Sequence, residues 1–294
     1  MKRIMFIVPY FGKWPFWFEF FLLSCRYNPT VNWLLISENP TPVNLPSNVI
    51  YKKISQDEYA NFVSKKLNIE FHLRRPYKLC DLKPMYGYLH QEDLDNYDFW
   101  GFCDVDVIFG DIRNFLTESI LENDVISCHA TRISGHFSLF RNKSNLRNAF
   151  KNVKRWEDVL SDEKNHQFDE KAFSKLFIKY KNFPTWIRHH IPGYNKLGVK
   201  CYFKECYSTP NCRINWEDGS RVFPTEWYWN RGTLTNNRSK NTFIYFHFLH
   251  WKQEYWKTDY REKNGHLKPG NANFFRINND CKKFMVDKNG FHQI

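Results

Sequence analysis

Two aspartates in the segment 98–112 (DFWGFCDVDVIFGDI) have the type and spacing of a metal site. An apolar run leads into Asp104 and Asp106, and only Val105 separates them. Because residues two apart in an extended chain point to the same side, the two carboxylates should converge. A divalent cation relieves the cost of desolvating them, and phosphates commonly complete the shell of Mg²⁺. We predict a Mg²⁺ or Mn²⁺ site that also holds a diphosphate. The alternative is a solvated pair of acids, of the kind that the helix-capping Asp111 represents.

A second group of charged residues lies upstream, in the segment 74–90. Lys78, Asp81 and Lys83 cluster ahead of the helix that leads to the aspartate pair. Lysine donors suit phosphate oxygens, and the carboxylate of Asp81 suits a ribose or sugar hydroxyl. The alternative is that Asp81 caps a helix and that both lysines are solvated.

The elements that must position these residues alternate between strand and helix in the first half of the chain. Strands are predicted at residues 4–8, 32–37, 48–54, 99–103 and 125–128. Helices are predicted at residues 14–27, 55–67, 81–94 (helical from Pro84 onward) and 112–121. This alternation is typical of an α/β fold with a mainly parallel sheet flanked by helices. Binding sites in such sheets lie at the carboxyl ends of the strands.

The alternation fades after Phe140. Helices are expected at residues 143–152 and 169–181, and a late strand is expected at residues 242–248. We interpret this half as an elaborated region that caps the sheet, so that residues 1–294 form a single domain.

The composition limits the classes of ligand. Aromatic residues make up 19% of the chain, and they suit stacking on sugars and bases, a membrane interface, or simply a filled core. The formal net charge of +12 attracts anions. The basic residues are spread along the chain rather than gathered in a stripe, which argues against nucleic acid. A phosphate-bearing substrate and a membrane surface both fit.

The cysteines and the N-terminus bear on the compartment. Several of the eight cysteines fall inside apolar runs, where they are expected to be buried, reduced thiols. The N-terminal segment lacks a long apolar stretch and a small-residue cleavage site, and no apolar run approaches the about 20 residues that span a bilayer. We expect a cytoplasmic protein, with peripheral contact on the inner face of the cell membrane.

Four segments resemble bacterial glycosyltransferases of the GT-A fold: PYFGKWP, YKLCDLKPMYGY, FWGFCDVDVIFGDI and GHFSLFRN. More narrowly, they resemble a family of capsule and lipopolysaccharide glycosyltransferases. The resemblance covers residues 4–142 and continues weakly to His250. It implies a GT-A-like (Rossmann-like) fold with a nucleotide-sugar-binding half, residues 1–128, and an acceptor-binding half, residues 129–294.

The resemblance also implies roles for individual residues. It places a metal ion and the donor diphosphate at the Asp-x-Asp motif. It places the segment 8–12 beside the nucleoside and the upstream charged cluster near the donor. The strand beginning at Gly135 resembles the one that lines the sugar pocket, where glycine allows close approach of backbone to ligand. The implied donor-binding residues are Pro9, Tyr10, Phe11, Lys78, Asp81, Lys83, Asp104, Val105, Asp106, Gly135 and His136.

GT-A enzymes often add a late histidine as a third metal ligand, followed by a lysine that meets the diphosphate. The corresponding segment here is YFHFLHWK, which contains His247, His250 and Lys252. In an extended run the two histidines face opposite sides, so only one should bind the metal. We favour His247, the first to emerge from the strand; the alternative is a histidine packed among Phe and Trp.

The acids Asp169 and Glu170 stand at a predicted helix start. In related transferases, acids after the central strands hold donor-sugar hydroxyls or act as the general base. The alternative is that Asp169 caps the helix and Glu170 occupies its first turn.

The expected function is therefore transfer of a hexose, galactose by resemblance, from a UDP-sugar to a hydroxyl of a surface-polysaccharide acceptor. The acceptor is expected on a lipid carrier. The sequence leaves open whether the reaction retains or inverts the anomeric configuration. Two other classes stay open: a metal-dependent phospho- or nucleotidyltransferase, and a non-enzymatic module that binds glycan or nucleic acid. The first is disfavoured because the chain has no GxxxxGK[ST] phosphate loop.

Overall fold

The computed structural model describes residues 1–178, 195–207, 214–257, 270–277 and 280–294. The strands of its main sheet, together with a short strand beside it, β5, lie within residues 4–203. They are β1 Ile4–Pro9, β2 Val31–Ser37, β3 Val49–Lys53, β4 Phe99–Cys103, β5 Val107–Phe109, β6 Val125–Ser127, β7 Phe137–Arg141 and β8 Cys201–Phe203.

The main sheet has the strand order β3-β2-β1-β4-β7-β6-β8. β1 pairs in parallel with β2 and β4, β2 with β3, and β6 with β8. β7 runs antiparallel to both of its neighbours. The prediction of an α/β fold with a mainly parallel sheet is confirmed for the described residues.

Both faces of the main sheet are covered. Met5 and Ile7 of β1 belong to one hydrophobic cluster, whereas Ile4, Phe6 and Val8 belong to another. Successive side chains of a strand point to opposite faces, so a strand buried on both sides is apolar throughout. This explains the continuous apolar runs that end at the candidate site.

The helices are shorter than predicted. Those of the described residues are α1 Phe18–Arg26, α2 Gln56–Leu67, α3 Leu79–Leu82, α4 Tyr86–Leu89, α5 Ile112–Phe115, α6 Ser144–Arg147, α7 Trp156–Ser161 and α8 Leu249–Glu254. α2 matches its prediction. Ser55 caps it in a capping box with Glu58, and each side chain binds the backbone N–H of the other residue.

Five predicted helices are wrong in length or type. The helix predicted at 14–27 is α1, which begins only at Phe18. Residues 81–94 form short α and 3-10 segments instead of one helix. Within them Gly87 packs so closely on Trp100 that a Cβ there would lie 2.3 Å from its ring. The helix predicted at 112–121 ends at Phe115. The one at 143–152 is α6 followed by a 3-10 turn. Residues 169–178 contain only a 3-10 turn, Phe173–Leu176, and residues 179–181 lie outside the described residues.

A second, antiparallel sheet lies in the last third of the chain, and the sequence did not predict it. Its strands are β9 Glu226–Asn230, β10 Thr233–Asn236, β12 Lys283–Asp287 and β13 Gly290–Gln293, in the order β10-β9-β12-β13. The indole Nε1 of Trp229 donates to the carbonyl of Phe109, 2.9 Å away, and so joins this sheet to β5. The predicted late strand is β11, shortened to Tyr245–His247.

The state of the cysteines and the presence of membrane-spanning helices can also be compared with expectation. The seven described cysteines are free thiols, four of them buried, and Cys212 lies outside the described residues. Within the described ranges, no helix is long and apolar enough to cross a membrane.

Candidate functional site

One turn and one strand pairing bring together three side chains that could hold a metal ion. Asp104 and Asp106 occupy the turn between β4 and β5, at the carboxyl end of β4. β11 pairs antiparallel with β5 and sets His247 opposite Val107. As a result, one ligand atom each from Asp104, Asp106 and His247 lie within 4.8 Å of one another. Asp106 and His247 are buried, and Asp104 is partly exposed.

Two buried lysines flank these acids. Lys83 Nζ lies 2.5 Å from Oδ1 of Asp104 and donates to the carbonyl of Gly135 at 2.8 Å. Lys252 Nζ donates to Oδ2 of Asp106 at 2.6 Å. The site therefore combines two carboxylates, one imidazole and two ammonium groups in a small volume.

The electrostatics keep Asp106 and Lys83 ionised. Burial alone would raise the pKa of Asp106, but the nearby Lys252 and His247 outweigh it and hold that pKa well below its usual range. Burial likewise acts to lower the pKa of Lys83, and Asp104 outweighs it and raises that pKa well above the ordinary value. Both groups are therefore charged at neutral pH.

His136 packs against His247, the histidine of the possible metal-binding group. Its ring stacks on that of His247 with centroids 4.2 Å apart. Burial, followed by the neighbouring His247 and His129, lowers the pKa of His136 well below its usual value, so this ring is neutral. Its Nε2 lies 2.7 Å from the hydroxyl of Tyr245, which donates to the carbonyl of Cys128. Since that hydroxyl has one proton, Nε2 must be the donor to Tyr245.

Asp169 and Glu170 lie beside Gly135, near the position that a Cβ there would take. A Cβ at Gly135 would lie 3.0 Å from Oδ2 of Asp169 and 3.7 Å from Oε1 of Glu170. Glu170 pairs with Arg132 at 3.3 Å. Burial, together with the charge of Glu170, raises the pKa of Asp169 to about 7. A carboxyl poised near neutrality can take or hold a proton at physiological pH.

A cavity of about 830 Å³ joins these groups. It has room for a nucleotide-sized ligand, because small-molecule sites usually enclose roughly 300–1,000 Å³. The predicted site residues that line it are Pro9, Tyr10, Phe11, Lys83, Asp104, Val105, Asp106, Gly135, His136, Asp169, Glu170, His247 and Lys252.

The structure does not bring two predicted residues to this cavity. Lys78 and Asp81 are buried and pair with each other at 2.9 Å, outside the lining. His250 lines the cavity from the first turn of α8, but it stands apart from the acid pair and His247.

The chemistry of the donor set fits a divalent cation. Carboxylate oxygens suit Mg²⁺ and Mn²⁺, and an imidazole nitrogen is accepted more readily by Mn²⁺ than by Mg²⁺. Asp104 and Asp106 with His247 would hold the ion, leaving positions for phosphate oxygens and water.

The sequence missed three residues at this site. Arg132 and His129 line the cavity from the loop after β6, and Tyr245 fixes the tautomer of His136. A signal for the first two was present, because they follow the fifth predicted strand at its carboxyl end. Tyr245 carried no separate signal beyond its place in an apolar run.

Comparison with protein families gives a match over most of the chain. The family model of DUF6625, a family of unknown function, matches residues 6–278. No curated protein matches the chain.

Proposed function

We propose that this chain, which belongs to the DUF6625 family, is a metal-dependent glycosyltransferase of the GT-A type with a nucleotide-sugar donor. One observation carries the proposal. Asp104, Asp106 and His247 gather within 4.8 Å at the carboxyl end of β4, beside Lys83 and Lys252. A cation together with two ammonium groups suits a diphosphate, which is the leaving group of a nucleoside diphosphate sugar.

The cavity supports an arrangement of the donor. Tyr10 and Phe11 line it beyond the carboxyl end of β1 and would face the nucleoside. Lys83 and Lys252 would meet the diphosphate. The sugar would then lie against Gly135, whose missing side chain leaves space between Lys83 and Asp169.

In the proposed reaction, the bond between the anomeric carbon and the diphosphate breaks while an acceptor hydroxyl bonds to that carbon. A bound cation supplies positive charge where the leaving diphosphate becomes more negative. Lys83 and Lys252 donate hydrogen bonds to the same oxygens. In an inverting reaction Asp169, with its pKa of about 7, takes the proton of the acceptor hydroxyl. In a retaining reaction the same carboxyl holds a donor-sugar hydroxyl.

The substrates are proposed from the resemblance of the sequence. The donor is a UDP-hexose, galactose in pyranose or furanose form. The acceptor is a surface glycan on a lipid carrier, used at the cytoplasmic face of the membrane. The basic residues of the last third of the chain support contact with an anionic surface. The tryptophans of the same region do not, because Trp227, Trp229, Trp251 and Trp256 are buried in the core.

Thermal unfolding with UDP, GDP or CMP, with and without Mn²⁺, tests the donor site. A nucleotide at about 100 times its Kd adds about 2.7 kcal/mol, a shift of several degrees. We expect one nucleotide to give this shift only with Mn²⁺. Asp106→Asn should abolish the shift. The matched control is Asp111→Asn, because Asp111 only caps α5 and asparagine caps as well.

Product analysis separates the proposal from its rivals. A glycosyltransferase releases a nucleoside diphosphate from a sugar nucleotide, and a phospho- or nucleotidyltransferase does not. A module that only binds glycan or nucleic acid would keep its affinity for that ligand in Asp106→Asn. For nucleic acid, the affinity would fall steeply as the salt concentration rises. Either result would reject the proposed function.

A further inference from the structure

An ion pair outside the cavity has no place in the reaction described above. Lys78 ends a 3-10 turn, and Asp81 lies in α3. Their side chains are 1% and 0% exposed, and Nζ lies 2.9 Å from Oδ2. Burying two charges is costly unless every donor and acceptor is used. The partners of this pair therefore indicate what it does.

All of the other partners belong to one segment, residues 159–168. Lys78 Nζ donates to the carbonyls of Val159 at 2.7 Å and Lys164 at 2.9 Å. The carboxylate of Asp81 accepts the backbone N–H of His166 at 2.9 Å and that of Phe168 at 2.9 Å. These are charge-assisted hydrogen bonds, the strong class.

The segment held in this way leads directly into the candidate catalytic acid. Phe168 is anchored by Asp81, and Asp169 is the next residue. Asp169 is 2% exposed, and its Oδ2 lies 3.0 Å from the position that a Cβ at Gly135 would take. A backbone fixed one residue away leaves this carboxyl little freedom to move.

We propose that Asp81, with Lys78, is a positioning residue that fixes residues 164–168 so that Asp169 faces the sugar side of the cavity. The proposal rests on the proposed function for the role of Asp169. This role takes the place of the one expected from the sequence, in which Asp81 contacts the donor directly. Both carboxylate oxygens of Asp81 are already hydrogen-bonded, and the side chain has no exposed surface toward the cavity.

Two double variants test the proposal: Lys78→Met with Asp81→Asn, and Lys78→Met with Asp81→Leu. Each removes both charges, so neither leaves a lone buried charge. Asparagine keeps an oxygen that accepts the N–H groups of His166 and Phe168, whereas leucine does not. The comparison therefore isolates the anchoring bonds. If the leucine variant fails to fold, alanine at position 81 removes the same acceptor without adding volume.

Hydrogen exchange and kinetics provide the two measurements. In the leucine variant we expect amides of residues 164–168 to exchange about tenfold faster than in the asparagine variant. Amides of β1 and β4 should be equally protected in both. We expect kcat to fall about 100-fold, because small misplacement of a catalytic group has that effect. The UDP–Mn²⁺ thermal shift should stay unchanged, since neither Lys78 nor Asp81 lines the cavity that contains the candidate metal site.

Two results would overturn the proposal. Equal exchange and equal kcat in the two variants would show that the acceptor at position 81 anchors nothing. Loss of the UDP–Mn²⁺ shift in both variants would show that Asp81 contacts the donor itself. A wild-type chain that binds no nucleotide would reject the proposed function instead. In that case the exchange comparison still decides whether Asp81 holds the segment.

Discussion

The ammonium nitrogen of Lys252 lies 2.6 Å from Oδ2 of Asp106, with the two side chains 9% and 7% exposed. Lys252 belongs to α8, directly after β11, and Asp106 belongs to the turn after β4. This contact joins the late part of the chain to the central sheet at the edge that carries the candidate site. A donor diphosphate would compete with Asp106 for the same ammonium group.

Replacing Lys252 tests this competition. Lys252→Met leaves Asp106 without its ammonium partner, and breaking a buried pair costs about 3 kcal/mol. We expect the free energy of unfolding to fall by that amount, and Mn²⁺ to stabilise this variant more than the wild type. The UDP–Mn²⁺ shift should nevertheless decrease, because a phosphate donor is lost.

The control for this prediction is Lys143→Met. Lys143 pairs with Asp124 at 3.0 Å, but its side chain is 54% exposed. An exposed pair contributes at most about 1 kcal/mol. Urea unfolding of both variants makes the comparison. Equal losses in the two variants would contradict the coupling of Lys252 to Asp106.

The two histidines of YFHFLHWK give a matched pair of variants. His247 reaches Oδ1 of Asp106 at 3.5 Å, whereas His250 stands outside the metal-binding group. We expect His247→Ala to weaken Mn²⁺ binding about 10- to 100-fold, the usual effect of disturbing a metal site. His250→Ala should leave Mn²⁺ binding unchanged. Calorimetric titration with Mn²⁺ in the presence of UDP measures both, and a larger effect from His250 would reverse the assignment.

Much of the main sheet was predictable because its strands are short apolar runs bounded by turn residues. β4 matches its prediction, and the helix predicted at 55–67 is α2, which Ser55 caps. The second sheet was missed although two-residue turns mark it. Arg231 and Gly232 between β9 and β10 both have positive φ, the backbone of a tight hairpin. The surrounding Trp and Tyr residues resembled a ligand-binding loop more than a strand.

The part of the candidate site that is formed by residues close together in the sequence was predictable. Asp104 and Asp106 converge because they are two residues apart in the short turn that joins β4 to β5. The burial of Lys78 and Asp81 away from the cavity was not predictable. Their hydrogen-bond partners are about 80 residues later in the chain: Val159, Lys164, His166 and Phe168. Sequence spacing cannot distinguish a lysine aimed at a phosphate from one aimed at a backbone carbonyl.

Gly135→Ala should impair recognition of the donor sugar. The added Cβ would lie 3.0 Å from Oδ2 of Asp169 and 3.4 Å from Nζ of Lys83, which are flexible side-chain ends. The protein should therefore fold, with a loss of about 1 kcal/mol. We expect affinity for UDP-sugar relative to UDP to fall about tenfold.

Gly198→Ala is the control for that variant. Gly198 has a φ of +65°, and a Cβ there would meet nothing within 4 Å. Its substitution costs about 1 kcal/mol through backbone strain alone. Competition binding of UDP and UDP-sugar compares the two variants. If both variants retain the wild-type ratio, Gly135 does not border the sugar.

The raised pKa of Asp169 predicts how stability depends on pH. The carboxyl titrates at about 7 in the folded chain, against an ordinary value of 3.8. Between these values the unfolded chain has released the proton and the folded chain retains it. The free energy of unfolding therefore falls with rising pH by up to about 1.4 kcal/mol per unit, and this contribution is constant above about pH 7. Asp169→Asn should remove this slope, as urea unfolding at about pH 5 and pH 7 would show; parallel profiles for the two proteins would contradict it.

The same titration predicts the pH profile of turnover when Asp169 acts as the base. Only the ionised carboxyl accepts a proton, so kcat/KM should rise with pH and level off above about pH 7. Glu170→Gln removes a charge that raises the pKa of Asp169, so it should move this midpoint to lower pH without abolishing turnover. In Asp169→Asn the rate should fall about 100-fold, and the midpoint near pH 7 should disappear from the pH profile of kcat/KM. A midpoint that persists in Asp169→Asn would assign the titration to another group and remove Asp169 from the role of base.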